Sequence, residues 1–275
     1  MTSDIDRTRL TQLAEQSEAE FMFQYESGMP AAAAAALGVN THRLEDGVVL
    51  SMRHDPTGYW SKALGFSVVT EELVGEILDI YRAEQAPVAV LQFAPDLLPD
   101  DWAEIAAKHG LTEGGKIAKL LSPLDEIEPA AGTTDLRVGP VEPRDADAWG
   151  RLVVETFGMP VDGGLAAMLG ATVTHPGFRA FAAWDGDQLV AGGNLYLHES
   201  VGVVNAGATA PTHRNRGAQS AIIAARLDAA RDAGCRWVVA EAGQPAPGES
   251  NPSLNNLVRA GLQPLYARAN WIWRP

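Results

Sequence analysis

Lysine is missing from the second half of this 275-residue chain: residues 135–275 hold 12 Arg and no Lys, against 13 Asp and Glu, a net charge of −1. The whole chain has 21 basic and 35 acidic residues, so residues 1–134 keep 9 and 22 of them, a net charge of −13. A broad basic footprint is therefore lacking, and nucleic acid is excluded as a partner of the whole chain, because phosphate backbones need clustered cations. Cysteine is nearly absent too. The single Cys235 excludes an internal disulfide and a zinc knuckle, and such thiol poverty fits a reducing cytoplasm. No apolar run approaches the ~20 residues that span a bilayer. The longest, Ala31–Ala36 with Leu37, is short and weakly hydrophobic. The opening residues Met1-Thr-Ser-Asp-Ile-Asp6 are acidic and lack the basic-then-apolar order of a signal peptide. The expectation is a cytoplasmic protein without a membrane partner. The six histidines show no metal-ligand spacing. There is no Gly-x-Ser-x-Gly elbow, and no Gly-x-x-x-x-Gly-Lys-Ser/Thr or Gly-x-Gly-x-x-Gly loop.

What is present is enough hydrophobic sequence, 46%, to build real cores. At roughly 100–200 residues per domain the length favours two domains. Pro123–Thr134 combines prolines, acids and small residues without a period, and reads as a linker. The division is residues 1–125, a linker at 126–134, and residues 135–275. In the first half the pattern predicts a helix over 4–20 and a strand around 41–53. A helix over 70–85 follows, with Thr70 as cap and Glu71 and Glu72 in its first turn. Strand 88–93, helix 100–109 and strand 116–121 complete that half. The second half reads as helix 145–157, strands 180–184, 188–197 and 201–208, helix 220–233, strand 236–240, helix 253–260 and strand 265–273. On helix 220–233 the apolar face is Ile223, Leu227 and Ala230, with Arg226 off it. Both halves run strand, loop, helix, strand, short helix ending in Gly-Leu, strand. Trp102–Leu111 matches Leu254–Leu262 in this weak internal repeat.

Asn205–Ile223 carries the chemistry. A strand ends near Thr209, Pro211 stops regular pairing, and His213, Arg214 and Arg216 surround Asn215. Gly217 then permits a positive φ or a close backbone approach just before a helix. Free N–H groups at a helix start, plus arginines, make an anion site suited to a diphosphate.

This stretch resembles the GNAT superfamily of acyl-coenzyme A-dependent N-acetyltransferases. The family pattern Arg/Gln-x-x-Gly-x-Gly/Ala falls on Arg214-Asn215-Arg216-Gly217-Ala218-Gln219, departing from it at Gln219. Asn251-Pro-Ser-Leu-Asn-Asn-Leu-Val-Arg-Ala-Gly261-Leu262 resembles the family's late helix. The resemblance covers about residues 135–275. It implies a fold of mixed α/β class: tandem GNAT-like domains, each a central mixed, largely antiparallel sheet flanked by helices, the N-terminal one degenerate. It also implies acetyl-coenzyme A bound between splayed parallel strands 201–209 and 236–240, without a metal. The backbone of Ala208, Thr209 and Ala210 would then pair with the pantetheine arm. Residues Arg214 to Ser220 would hold the pyrophosphate, and Asn251, Ser253 and Asn256 would touch the cofactor from the late helix.

Attack of an amine on a thioester needs a base, and an acid for the thiolate unless it leaves unaided. The tyrosine that many members place before the late Gly-Phe is replaced here by Val258. Tyr266 is the substitute acid. Glu241, at the end of the strand beside the gap, is the leading base, with Glu199 and His198 behind it and Glu155 and Asp162 weaker. His213 is assigned to the phosphate, and Cys235 to structure. In the first half, Gly58-Tyr-Trp-Ser-Lys-Ala-Leu-Gly-Phe66 stands where a basic loop would be and has no Arg, so no cofactor is expected there. Tyr59 and Trp60 are candidates to pack on the other half or to cover the acceptor. The expected reaction is acetyl transfer to a primary amine on a small molecule or peptide. The alternatives are a longer acyl group, or a non-catalytic acyl-CoA-binding or partner-binding protein. A homodimer is left open.

Overall fold

A computed structural model describes residues 7–128 and 133–275. The expected linker thus falls partly outside the described residues, as does the start of the first helix.

The N-terminal half comprises α1 (Arg7–Ser27), α2 (Ala31–Leu37), β1 (Val39–Leu44), β2 (Gly47–Met52), β3 (Lys62–Leu64), α3 (Glu71–Ala83), β4 (Ala89–Gln92), α4 (Trp102–Lys108) and β5 (Thr112–Pro123). The C-terminal half comprises β6 (Arg137–Pro140), α5 (Ala146–Thr156), α6 (Leu165–Ala171), β7 (Phe178–Asp185), β8 (Gln188–His198), β9 (Val201–Thr209), α7 (Ala218–Asp232), β10 (Trp237–Gly243), α8 (Pro252–Arg259) and β11 (Pro264–Trp273). The single strand expected over 41–53 is a hairpin, β1–β2, turning at Glu45-Asp46 with Leu44 opposite Gly47. The alanine run is α2, closed by Gly38 in the left-handed conformation at φ +63°.

The strands form one sheet in the order β1-β2-β3-β4-β11-β5-β10-β9-β8-β7-β6. Its neighbours are antiparallel except for two parallel pairs, β3–β4 and β9–β10, one in each half. The two halves exchange their last strands. β5 leaves β4 and lies against β10, while β11 crosses to β4. β5 and β11 themselves pair antiparallel at the centre. The repeat read from the short helices is thus seen again in the sheet, and the halves share one continuous hydrogen-bonded layer.

α1, α5 and α6 cover one face of the C-terminal half, and α7 and α8 the other. Side chains alternate accordingly along β10. Val239 belongs to the core that contains Phe21, Met22 and Tyr25 of α1, while Ala240 and Ala242 belong to the core of Ile223, Leu227 and Leu257. α1 extends to Ser27 and presents Ala14, Glu18, Phe21, Met22 and Tyr25 to the interior at helical spacing. Its buried stripe also holds Glu15 and Glu18, each 1% exposed.

Candidate active site

β9 and β10 pair from Val201/Trp237 to Val204/Ala240 and no further. Beyond that point β10 continues as Glu241–Gly243 bonded only to β5, and β9 continues to Thr209 bonded only to β8. Two edges with unpaired backbone groups therefore face each other across an opening. The cause lies in β9. Its register against β8 slips between Gly192 and Asn194, and Ala206 takes φ +51°, the bend a β-bulge imposes.

Arg226 props this bulge from below, which corrects the expectation that it lies off the core face. The residue is 1% exposed. Its Nη1 donates to the carbonyls of Asn194 (3.2 Å) and Asn205 (2.9 Å), and its Nε to that of Ile222 (3.2 Å). Burial pulls its pKa down to about 9. Room for it comes from Gly193, where a Cβ would lie 2.8 Å from the guanidinium carbon. From the opposite face Tyr25 donates to Asn205 Oδ1 (2.8 Å). Asn194 Nδ2 donates to Tyr25 (3.1 Å) and to Thr172 (2.9 Å). The opening is therefore braced by a helix of the N-terminal half. The Gly192-Gly193 pair inside a strand was the available sequence signal.

A cavity of about 470 Å³ passes through this opening. On the α7–α8 side it is lined by Gln219, Asn251, Ser253 and Ala242, and on the α1 side by Glu18, Tyr25, Trp60, Lys119 and Glu241. Several sequence-predicted residues meet here. Asn256 donates to Gln219 Oε1 (2.9 Å), and Gln219 Nε2 lies 3.4 Å from Ser253 Oγ. Asn251 caps α8 by accepting from the amides of Ser253 and Leu254, and donates to the Gly243 carbonyl (2.8 Å). Ser220 and Asn256 line a second, smaller cleft of about 80 Å³ between α7 and α8.

The loop before α7 leaves the helix start uncapped. Gly217, at φ +76°, stands at the N-cap without any side-chain cap, and the first turn has no acid. Its left-handed turn also involves Asn215 at φ +64°. A Cβ on Gly217 would come within 2.1 Å of the Thr133 carbonyl oxygen. Arg214 is exposed and bonds to no described residue. Arg216 differs from its assignment. Its guanidinium is held by Asp135 (2.5 Å) and Asp185 (2.6 Å), which lift its pKa, so its donors serve the loop. His213 Nε2 sits 3.4 Å from the same Asp185. Ala218 is buried. Among the strand residues, the Ala210 amide donates to Val190 (2.8 Å). By ladder alternation Ala208 also faces β8, and the backbone facing the gap belongs to Thr209 and Gly207.

Two catalytic assignments change. Glu199 is exposed at φ +49° in the β8–β9 turn, at the end where β9 and β10 are still paired, opposite the opening. His198 shares that end. Tyr266 does not line the cavity. Its hydroxyl donates to Glu15 (2.5 Å), and burial first, with Glu15 second, pushes its pKa far up. Glu241 does line the cavity. Burial alone would raise its pKa, but Lys119 (3.4 Å) and Arg268 (3.2 Å) outweigh it and hold the carboxyl at about 2. It is a hydrogen-bond acceptor and a weak base. Sequence reading missed Glu18, Lys119, Arg226 and Arg268. Among the described residues no cluster of His, Cys, Asp and Glu is arranged to hold a metal, and no helix is long and apolar enough to cross a membrane.

Residues 151–247 match the acetyltransferase (GNAT) family. No curated protein matches the sequence. The fold is similar to a GCN5-related N-acetyltransferase from Kribbella flavida, with TM-score 0.61 and 16% identity over 90% of this chain and 96% of that one. It is also similar to a GCN5-related N-acetyltransferase from Sphaerobacter thermophilus, with TM-score 0.60 and 15% identity over 84% and 83% of the two chains. A tandem GNAT protein from the clavulanic acid biosynthesis pathway gives TM-score 0.57 and 13% identity over 94% and 96%.

Proposed function

Because residues 151–247 match the acetyltransferase (GNAT) family, we propose that this protein moves an acetyl group from acetyl-coenzyme A to a primary amine. The observation that carries the reading is the pairing of an uncapped, acid-free helix start beside Arg214 with the parted edges of β9 and β10. The first suits a pyrophosphate, and the second offers an amide-bearing arm strand-like hydrogen bonds. Acetyl-coenzyme A supplies an activated thioester when bound.

The chain's own residues account for the remainder. Arg214 and the amides of Gly217–Ser220 hold the phosphates. Gln219, Ser253 and Asn256 tie α7 to α8 along the arm. The amide of Gly207 or Thr209, facing the gap, polarises the thioester carbonyl. The acceptor's ammonium first loses a proton to water; its neutral nitrogen then bonds to the carbonyl carbon, the carbon–sulfur bond breaks, and the nitrogen loses its second proton to water or to a carboxylate. The thiolate takes its proton from solvent, since Tyr266 is tied to Glu15. That same tie favours the alternative, a protein that binds acyl-CoA without turning it over. Thiol release from acetyl-CoA against a library of primary amines, with the acetylated product identified by mass, separates the two. Product with at least one amine is expected. None with any amine would leave only the binder.

A further inference from the structure

Glu18 lines the cavity and is 1% exposed. Its Oε2 accepts from Lys119 and from Arg268 Nη2 (2.6 Å), while its Oε1 is buried and accepts no hydrogen bond. Glu241, across the same cavity, repeats the arrangement. Its Oε2 takes Lys119 and Arg268, and no described residue donates to its Oε1. One lysine and one arginine thus orient two carboxylates alike, each with an oxygen to spare. With Glu15, bound to Arg268 and Tyr266, the hydrogen-bonded cluster holds three carboxylates against two cations. Lys62, the next cation, lies over the Tyr59 ring at 3.6 Å and has no hydrogen-bond partner. A third cation with N–H donors would complete the set, since a buried charge is tolerated when paired and hydrogen-bonded.

The rest of the α1-side wall is mainly apolar: Phe21, Met22, Met159, Trp60, whose Nε1–H has no partner, and at the rim Tyr59 and Phe157; the Tyr25 hydroxyl is engaged with Asn205. Tyr59 and Phe157 are 38% and 53% exposed, two of the few large hydrophobic side chains left in solvent. Exposed apolar groups gathered at one cavity mark a binding surface. An aminosugar or polyamine would press hydroxyls or extra charges against these walls without partners.

We propose that the acceptor is a primary amine on an apolar, aromatic-sized body, whose ammonium group is seated by Glu18 of the N-terminal half together with Glu241. This rests on the amine-acetyltransferase reading. The seat lies on the face of the sheet opposite α7, so the amine and the coenzyme approach the opening from opposite sides. Glu18 makes the N-terminal half part of the acceptor site.

The test is calorimetric titration of the full chain, saturated with coenzyme A, using phenethylamine, ethylamine, glucosamine and spermidine, with acetyl-CoA turnover measured in parallel. Phenethylamine is expected to bind at least tenfold more tightly than the other three. Glu18→Gln is expected to weaken it tenfold or more while leaving the acetyl-CoA KM unchanged. Tyr59→Ala leaves the buried charges intact, and is expected to weaken phenethylamine but not ethylamine. Equal binding by Glu18→Gln and wild type, or a preference for glucosamine or spermidine, would overturn the proposal. Glu18-dependent binding of phenethylamine without acetylation of any amine would instead support the seat and refute the transferase reading.

Discussion

The two halves each contain a parallel strand pair joined through a helix, and only one pair has opened. After β9 the chain reaches α7 through Arg214 and the bare N-cap Gly217. After β3 it reaches α3 through Thr70, whose Oγ1 already accepts from the Leu73 amide (3.1 Å), with Glu71 and Glu72 in the first turn. A phosphate at α3 would meet two carboxylates and a satisfied amide, whereas at α7 it would meet free amides and an arginine. The ends of the strand pairs differ as well. Phe66 and Phe93, each 1% exposed, meet edge to face at 6.1 Å just past β3 and β4. A Cβ on Gly65 would lie 2.4 Å from the Ala19 Cβ of α1. The open pair instead has a bulge braced by Arg226 and Tyr25. The same architecture thus differs at its two ends: one half has the parted strands, and the other supplies α1, Lys119 and the Tyr59–Trp60 loop to the cavity wall.

The largest expected effect comes from breaking the contact between the halves. Arg268→Met strips both Glu15 and Glu18 of a buried partner, and is expected to destabilise the fold by about 3–5 kcal/mol in denaturant unfolding. Next is the contrast between two loop arginines. Arg214→Ala is expected to weaken acetyl-CoA binding by about 1.5–3 kcal/mol, roughly tenfold to more than a hundredfold. Arg216→Ala is expected to have the smaller effect on affinity, because its donors go to Asp135 and Asp185. The reverse ranking in titrations would undo the assignment. At the closed pair, Thr70→Ala is expected to lower stability by about 1 kcal/mol through loss of the cap, with acetyl-CoA affinity unchanged.

The last prediction concerns Glu241, whose effect changes with pH only in acid. Its folded pKa is lowered, so its contribution to stability is complete above the unfolded value of about 4.3 and is lost as pH falls toward about 2. The stability advantage of wild type over Glu241→Gln is expected to shrink across that window in acid-unfolding curves. The rate–pH profile is expected to carry the acceptor's own amine and Lys119, whose pKa burial lowers to about 8, with no step belonging to Glu241 between pH 5 and 9.

Local signals were legible where one residue decides the structure. Thr70 with two following acids marks α3, Gly110 and Gly234 close α4 and α7, and Gly217 marks the turn into α7. The β1–β2 hairpin hid behind a run that read as one strand, although Asp46-Gly47 is a turn signal. α6 follows Gly163-Gly164 and is too short to establish a period. The strand exchange cannot be read from β5 or β11, because an alternating pattern is the same whichever neighbour it pairs with. The buried acids of α1 break its apolar stripe, and make sense only beside Lys119 and Arg268, which lie far along the chain. In sequence Glu199 stands in the turn just before β9, and Tyr266 is the nearest substitute for the tyrosine that Val258 replaces. Strand direction puts the first at the paired end, and Glu15 holds the second away from the cavity.

The most direct test is the stoichiometry of acetyl-CoA binding to the full chain, by calorimetry, in wild type and Arg214→Glu. The account predicts one molecule per chain, with binding lost in Arg214→Glu and the fold intact by circular dichroism. Two molecules per chain, or one molecule bound equally by Arg214→Glu, would contradict the assignment of the open pair as the site and the closed pair as its support.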